Sequence, residues 1–302
     1  MIMTETVSNH WDGWQKNREI SRPQYVDWGD HPTILKHLNQ TVFGSPDVDF
    51  IRYFGNYHPE FSGKSVLSLC CGDGGFEKLL LQNQVFKHIT GLDISESRVA
   101  AAQTNRGQFT EQLDFIVGDV NLADFGYQSY DVVFAKAALH HVENLEGLMQ
   151  SIIRCLRPGG LLVSIDFFGP SRFQWTNNQL EAANWFLKER IPPALRTRRN
   201  GMIYEVANRH TVAEMIAMDP SEAVRSGELD GVLHQYFDLK VDLALGGTLL
   251  NLIFYGDVIN NFDAENAEHN RLIEEAFQYE RALINTGELA SDFRLIIAAP
   301  KP

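Results

Sequence analysis

The residues best able to do chemistry are a glycine turn, three acids at strand ends and a pair of histidines. Ser65-Val66-Leu67-Ser68-Leu69 reads as a short apolar strand running into Cys70-Cys71-Gly72-Asp73-Gly74-Gly75, and a helix is expected over Phe76–Gln82. Such a turn lets backbone approach a ligand where a Cβ would clash, and the helix then directs its free N–H groups at that ligand. Ile89–Asp93 is a second short strand, ending in an acid 19 positions after Gly74. At that spacing a carboxylate can grip the ribose hydroxyls of an adenosine-type cofactor. Asp119 closes a third strand, Leu113–Asp119, and Asp166 closes a later one, Leu161–Asp166. His140 and His141 follow the strand Tyr130–Ala135 and are candidates to remove a proton.

These residues need a scaffold that brings strand ends together. Strands ending in glycine or acid and separated by helical stretches describe an open parallel sheet, with its ligand site at the carboxyl ends of the strands. Leu156-Arg157-Pro158-Gly159-Gly160 reads as a helix stop and turn. The N-terminal 61 residues read as helical and rich in aromatics, with Trp11, Trp14 and Trp28 either in the core or over the site. Residues 62–170 form the nucleotide-binding half, and 171–225 a lid with a helix at Asn177–Glu189 stopped by Pro192-Pro193. From 226 the chain returns to the sheet: a helix Ser226–Phe237, a strand Asp238–Leu243, two inserted helices (Thr248–Ile259, Ala264–Thr286) within 247–287, and a last strand Phe293–Ala298.

With Val66–Gly74, Asp93, Gly118-Asp119, Asp131–His141 and Leu156–Gly160 in this order, the chain resembles the class I S-adenosylmethionine (SAM) dependent methyltransferases, firmly over residues 62–170. The resemblance implies a Rossmann-like α/β fold: a seven-stranded, mostly parallel sheet with helices on both faces, plus helical lid insertions. It implies SAM as cofactor and S-adenosylhomocysteine as product. Gly72 and Gly74 would lie against the methionine part, Asp93 would hold the ribose and Asp119 the adenine amino group. Cys70, Ile94, Val120 and Ala135 would complete the cofactor-binding set. Two positions depart from the family pattern. Ser68 stands where an acid is usual, and Cys70 stands where the turn's first glycine is usual. A cysteine there is expected to need negative φ.

Methyl transfer from a sulfonium is an in-line displacement, so alignment and exclusion of water supply most of the acceleration. A base is needed only where the acceptor must lose a proton; His140, His141 and Asp166 are the candidates, each with a bland alternative as loop brace or cap. For the acceptor, Arg172, Gln174, Trp175, His210 and Arg225 are candidates, on stretches resembling the lid hinges of a bacterial subgroup associated with glycan or natural-product assembly. Ser221 and Glu222 could equally start a helix with Arg225 one turn on. Between Lys188 and Arg209 six basic side chains face two acidic ones. This is either a solvated surface or a lid that draws an anionic acceptor.

Composition bounds the rest. With 302 residues, 44% hydrophobic and 22% charged, the chain is that of a globular protein, and its net charge of −13 disfavours a nucleic-acid partner. No run approaches the ~20 apolar residues of a membrane span, and the N-terminus lacks a signal pattern. Three cysteines argue for a reducing cytoplasm. No metal is expected: Lys136 and Phe167 stand where metal-dependent relatives carry acid or amide, and no zinc-type spacing occurs. The expected function is methyl transfer to oxygen, in preference to nitrogen, of a small-molecule, natural-product or glycan-linked acceptor. A peptide or protein acceptor, or SAM binding without turnover, is the alternative. Oligomeric state is left open.

Overall fold

In the computed structural model, which describes residues 2–21, 24–122 and 124–302, seven strands form one sheet. They are β1 (Ser65–Leu69), β2 (His88–Asp93), β3 (Leu113–Val117), β4 (Tyr130–Lys136), β5 (Leu156–Phe167), β6 (Phe237–Gly246) and β7 (Phe293–Pro300). Their order is β3-β2-β1-β4-β5-β7-β6, with β1 to β5 parallel and β7 antiparallel to both β5 and β6. The direction of the strand order reverses beside β1 and β4, so a crevice opens at their carboxyl ends.

Helices cover both faces because alternate residues of the central strands are apolar on each side. Val66, Val132, Phe134, Val163 and Ile165 face one core, and Leu67, Leu69, Val133, Ala135 and Leu162 the other. The helices are α1 (Ile2–Ser21), α2 (Pro32–Phe43), α3 (Phe50–Tyr57), α4 (Gly75–Gln82), α5 (Glu96–Asn105), α6 (Leu145–Cys155), α7 (Asn177–Arg190), α8 (Val212–Met218), α9 (Leu229–Tyr236), α10 (Leu250–Ile253) and α11 (Ala267–Asn285). Leu148, Met149 and Ile152 of α6 pack with Val232 and Leu233 of α9 on the second face. On the first, residues of α2, α7 and α11 share one core with the strands.

Several local expectations are corrected. Leu156–Gly160 is the start of β5, not a turn: the strand absorbs it with a register shift opposite Tyr130 and Val132, and Gly159 takes φ +78°. Thr248–Ile259 is no continuous helix, since Gly256 at φ +61° separates the one-turn α10 from a 3-10 segment, Gly256–Asn261. Residues 219–225 make turns, so Ser221 and Glu222 start no helix.

Candidate active site

The strand-end crevice holds a cavity of about 420 Å³. Its floor is the β1–α4 turn and the ends of β2, β3 and β4. Cys70, Asp93, Ile94, Asp119 and Val120 line it, together with Glu77, Arg98, Lys136, His141 and Ser221. A second cavity, about 440 Å³, shares Val7, Ile94, Asp119, Asn121, His141 and Ser221 with the first.

The turn is tightly specified. Gly72 and Gly74 adopt φ +59° and +72°. A Cβ on Gly74 would meet Phe115 at 2.3 Å and one on Gly72 would meet the Arg98 guanidinium at 2.4 Å. Both glycines serve close packing of the turn against its neighbours. They do not themselves line the cavity, and neither does Ala135, which is fully buried. Cys70 contradicts the expected negative φ: it sits at +51°. The αL conformation costs a non-glycine residue of order 1–3 kcal/mol, so the surrounding bonds must hold it. The amide next along, of Cys71, donates to Leu92 O at 3.0 Å. Burial pushes the Cys70 thiol well above its usual range, so it is no nucleophile.

Asp93 is buried, accepting from Gly72 N at 2.8 Å and Ser95 N at 3.0 Å. Those bonds aim its carboxylate at the cavity and leave acceptor capacity on it. Asp119 accepts from the Asn121 amide at 2.8 Å and the Asn121 side chain at 2.9 Å.

Helix α1 roofs the cavity. Asp12 accepts from Ser97 N at 3.1 Å and Ser97 Oγ at 2.6 Å, and from Ser95 Oγ at 2.5 Å. Trp11 and Trp14 line the cavity and flank Arg98, whose Cζ is 4.8 and 5.1 Å from their ring centroids. Trp28 is different: it is buried against Phe293, with its ring edge against Gly247. Sequence reasoning missed Arg98, since an arginine inside an unremarkable helix carries no signal until α1 is seen over it.

The two histidines part company. His140 Nδ1 is 2.5 Å from Asp166 Oδ1, and its Nε2 is 3.4 Å from Glu222 Oε1. Burial alone would lower its pKa, but the Asp166 and Glu222 charges outweigh that and raise it to about 9. Held between the two carboxylates, His140 braces the loop, and its raised pKa favours the protonated form. Asp166 is buried and accepts from the amides of Ala138, Leu139 and Phe167 besides His140. His141 lies opposite in character. Burial, then the neighbouring His140 charge, push its pKa well below the usual value. Its Nδ1 is 3.2 Å from Ser221 Oγ, which donates to Asp219 Oδ1 at 2.9 Å. With the hydroxyl proton committed to Asp219, Nδ1 carries the imidazole hydrogen and Nε2 the lone pair. His140, His141 and Glu222 set ligand-type atoms within 4.8 Å of one another. Within this set His140 is paired with Glu222 at 3.4 Å and, on its other nitrogen, with Asp166 at 2.5 Å.

The acceptor candidates are mostly spent on structure. Arg172, at φ +54°, donates to Pro220 O and Glu222 O at 2.9 and 3.1 Å. Gln174 bridges Arg172 O and His210 O, both at 2.9 Å. Arg225 borders the second cavity but forks onto Glu146 at 2.7 Å and meets Glu228 at 2.7 Å, which drives the Glu146 carboxyl down to about 2. Trp175, stacked 5.0 Å from Phe173, and His210 line a third cavity, of about 390 Å³, with Leu252 and Tyr255. None of the six basic residues of 188–209 lines the strand-end cavities. Arg190 pairs with Glu275 at 2.7 Å, and Arg198 stacks over Tyr204 and Tyr255.

Sheet order and a strand-end crevice floored by a glycine turn and two acids define an open α/β nucleotide-type binding protein. Residues 67–164 match the family model described as a methyltransferase domain. A phthiotriol/phenolphthiotriol dimycocerosates methyltransferase of Mycobacterium ulcerans (strain Agy99) is 31% identical over 144 residues, 47% of this chain and 52% of that protein. A 2-methyl-6-phytyl-1,4-hydroquinone methyltransferase of Synechocystis is 28% identical over 170 residues, 54% of this chain and 52% of that protein. The chain spans about half the length of these curated relatives. A geranyl diphosphate C-methyltransferase of Streptomyces coelicolor A3(2), solved with Mg2+, geranyl diphosphate and S-adenosyl-L-homocysteine, shares the fold at TM-score 0.52 and 11% identity, over 100% of this chain and 98% of that one. Residues 67–164 thus belong to the class I SAM-dependent methyltransferases.

Proposed function

We propose that the whole chain transfers a methyl group from SAM to an oxygen, in preference to a nitrogen, of a small-molecule acceptor, and that His141 takes the acceptor's proton. The observation that carries this is the Asp219–Ser221–His141 relay, whose neutral imidazole stands where the two cavities meet. A methyl already activated on sulfur is what SAM supplies. The residues present fit it: carboxylates of Asp93 and Asp119 suit ribose and adenine donors, and aromatic walls suit the rest. Asp93 would anchor the ribose, Ile94 and Val120 would flank the base, and Trp11 and Trp14 would close the cavity against water. His140 lies behind His141 and its charge helps to keep His141 neutral, so the imidazole lone pair is free at physiological pH.

The acceptor is read as a molecule with an apolar body and an ionisable hydroxyl. The supporting facts are the tryptophans, Phe76 and Val26 on the cavity wall and the lipid and quinone relatives. An anionic or glycan-linked part would meet Lys136 in the cavity, not the arginines of the lid. All three cysteines are free, as a cytoplasmic protein's would be. Among the described residues no helix is long and apolar enough to cross a membrane.

The test is calorimetric binding of S-adenosylhomocysteine, followed by a screen of hydroxylated lipids and hydroquinones for its release from SAM, with the labelled methyl located by NMR. A folded protein that binds neither SAM nor S-adenosylhomocysteine would end this reading. Methyl label on carbon alone would overturn the assignment to oxygen.

A further inference from the structure

Ser68 stands where the class places an acid, and the structure sets an acid beside it. The Ser68 side chain points to the face of β1 covered by α4, and its Oγ donates to Glu77 Oε1 at 2.7 Å. The hydroxyl is on β1 and the carboxylate on the first turn of α4. Glu77 is 3% exposed, and its second oxygen, Oε2, is buried with no hydrogen-bond partner among the described residues. It lines the main cavity beside Cys70, Cys71 and Asp73 of the glycine turn.

A carboxylate held by one hydroxyl, with its other oxygen unsatisfied, is destabilising unless something cationic completes it. Burial pushes the Glu77 pKa up to about 7, against the pull of Ser68 and Lys136. Lys136 faces the same cavity from the end of β4, with Nζ 5.2 Å from the Phe76 ring centroid. The wall beside the turn therefore sets the buried Glu77, with Asp73 near it, against the basic Lys136, a pattern that suits an amino-acid zwitterion.

We propose that Glu77 is the residue that binds the α-ammonium of the amino-acid end of SAM. This rests on the SAM reading above. It also accounts for Ser68: its hydroxyl orients the Glu77 carboxylate, which an acid on the strand would repel.

The decisive measurement compares two ligands on the intact protein by calorimetry: S-adenosylhomocysteine, and the analogue in which its α-amino group is replaced by hydrogen. Wild type should prefer the amine by about tenfold or more, the size of a charge-assisted bond. Glu77→Gln should bind both ligands alike and hold the deaminated one as wild type does, which also reports an intact site. The exchange variant Ser68→Asp/Glu77→Ser returns the acid to the strand and should restore the preference. If Glu77→Gln keeps the full preference, or if wild type binds both ligands equally, the proposal is overturned while the SAM reading stands. It is overturned in the same way if Glu77→Gln loses both ligands and the exchange variant restores no preference. If wild type binds neither ligand, the SAM reading itself falls, and this proposal with it.

Discussion

At the scale of single residues, the site separates groups that look equivalent in sequence. Asp93 and Asp119 end neighbouring strands, and Asp93 has its two oxygens fixed by amides of two different segments, Gly72 and Ser95. Asp93→Asn keeps the shape and removes the charge. It should weaken S-adenosylhomocysteine binding by about tenfold or more in calorimetry, because hydrogen bonds to an ionised acceptor are the stronger kind. Unchanged affinity in the folded variant would sink the ribose assignment. The adjacent histidines diverge further, one locked as a cation between two carboxylates and the other neutral. His141→Gln should lower kcat by about 10²–10⁴ while leaving the cofactor Kd near wild type, the signature of a lost proton acceptor. Equal activity in that variant would mean that positioning alone suffices.

At the scale of elements, two predictions follow from how segments are tied. The β4–α6 loop is fastened to β5 through His140 and Asp166. The His140 pKa lies at about 9 in the fold, against roughly 6.5 in an unfolded chain. The pair's stabilisation is thus complete below about pH 6.5 and is lost as pH rises through 9, since the folded state then gives up a proton it held more tightly than the unfolded one. Melting temperature should fall between pH 7 and 9.5 in wild type. His140→Gln should melt lower at pH 7 and show a flatter profile over that window; parallel profiles would refute the linkage. Helix α1 is tied to α5 by Asp12, whose carboxylate serves both the Ser95 and Ser97 side chains. Asp12→Ala should speed hydrogen exchange of the α1 amides and raise the S-adenosylhomocysteine Kd. Unaltered exchange would show that Trp11 and Trp14 hold the roof without it.

At the scale of the whole molecule, a buried acid joins the C-terminal helix to the sheet. Glu280 of α11 is fully buried and accepts from Gly247, Leu249 and Leu250 amides at 2.9, 2.6 and 3.0 Å, at the end of β6. Gln179 of α7 donates to Thr248 and Asp292 beside it, so α7, the sheet and α11 converge there. Glu280→Ala leaves three buried amides without acceptors and should lower unfolding free energy by about 2–5 kcal/mol in urea titration. A loss below about 1 kcal/mol would mean that water replaces the carboxylate.

The positions of the strands, the glycine turn, Asp93, Asp119 and the histidine pair were legible in sequence, because strand periodicity and turn chemistry are local and each leaves a mark within a few residues. The course of 156–160 and 248–259 was not: a proline-glycine run reads as a turn until a neighbouring strand pairs with it, and an apolar run reads as helix until Gly256 breaks it. The roles within the site were still less accessible. Which histidine is cationic depends on Asp166 and Glu222, 26 and 82 residues from His140. Whether Arg225 or Arg172 can meet an acceptor depends on Glu146 and the 219–222 turn having claimed them first. Even the pairing of Ser68 with Glu77 appears only when α4 folds back on β1. Sequence determined which groups this protein carries to the strand ends. Tertiary structure alone decided which remain free for chemistry, because charge state and hydrogen-bond capacity are set by neighbours that are near in space and distant along the chain.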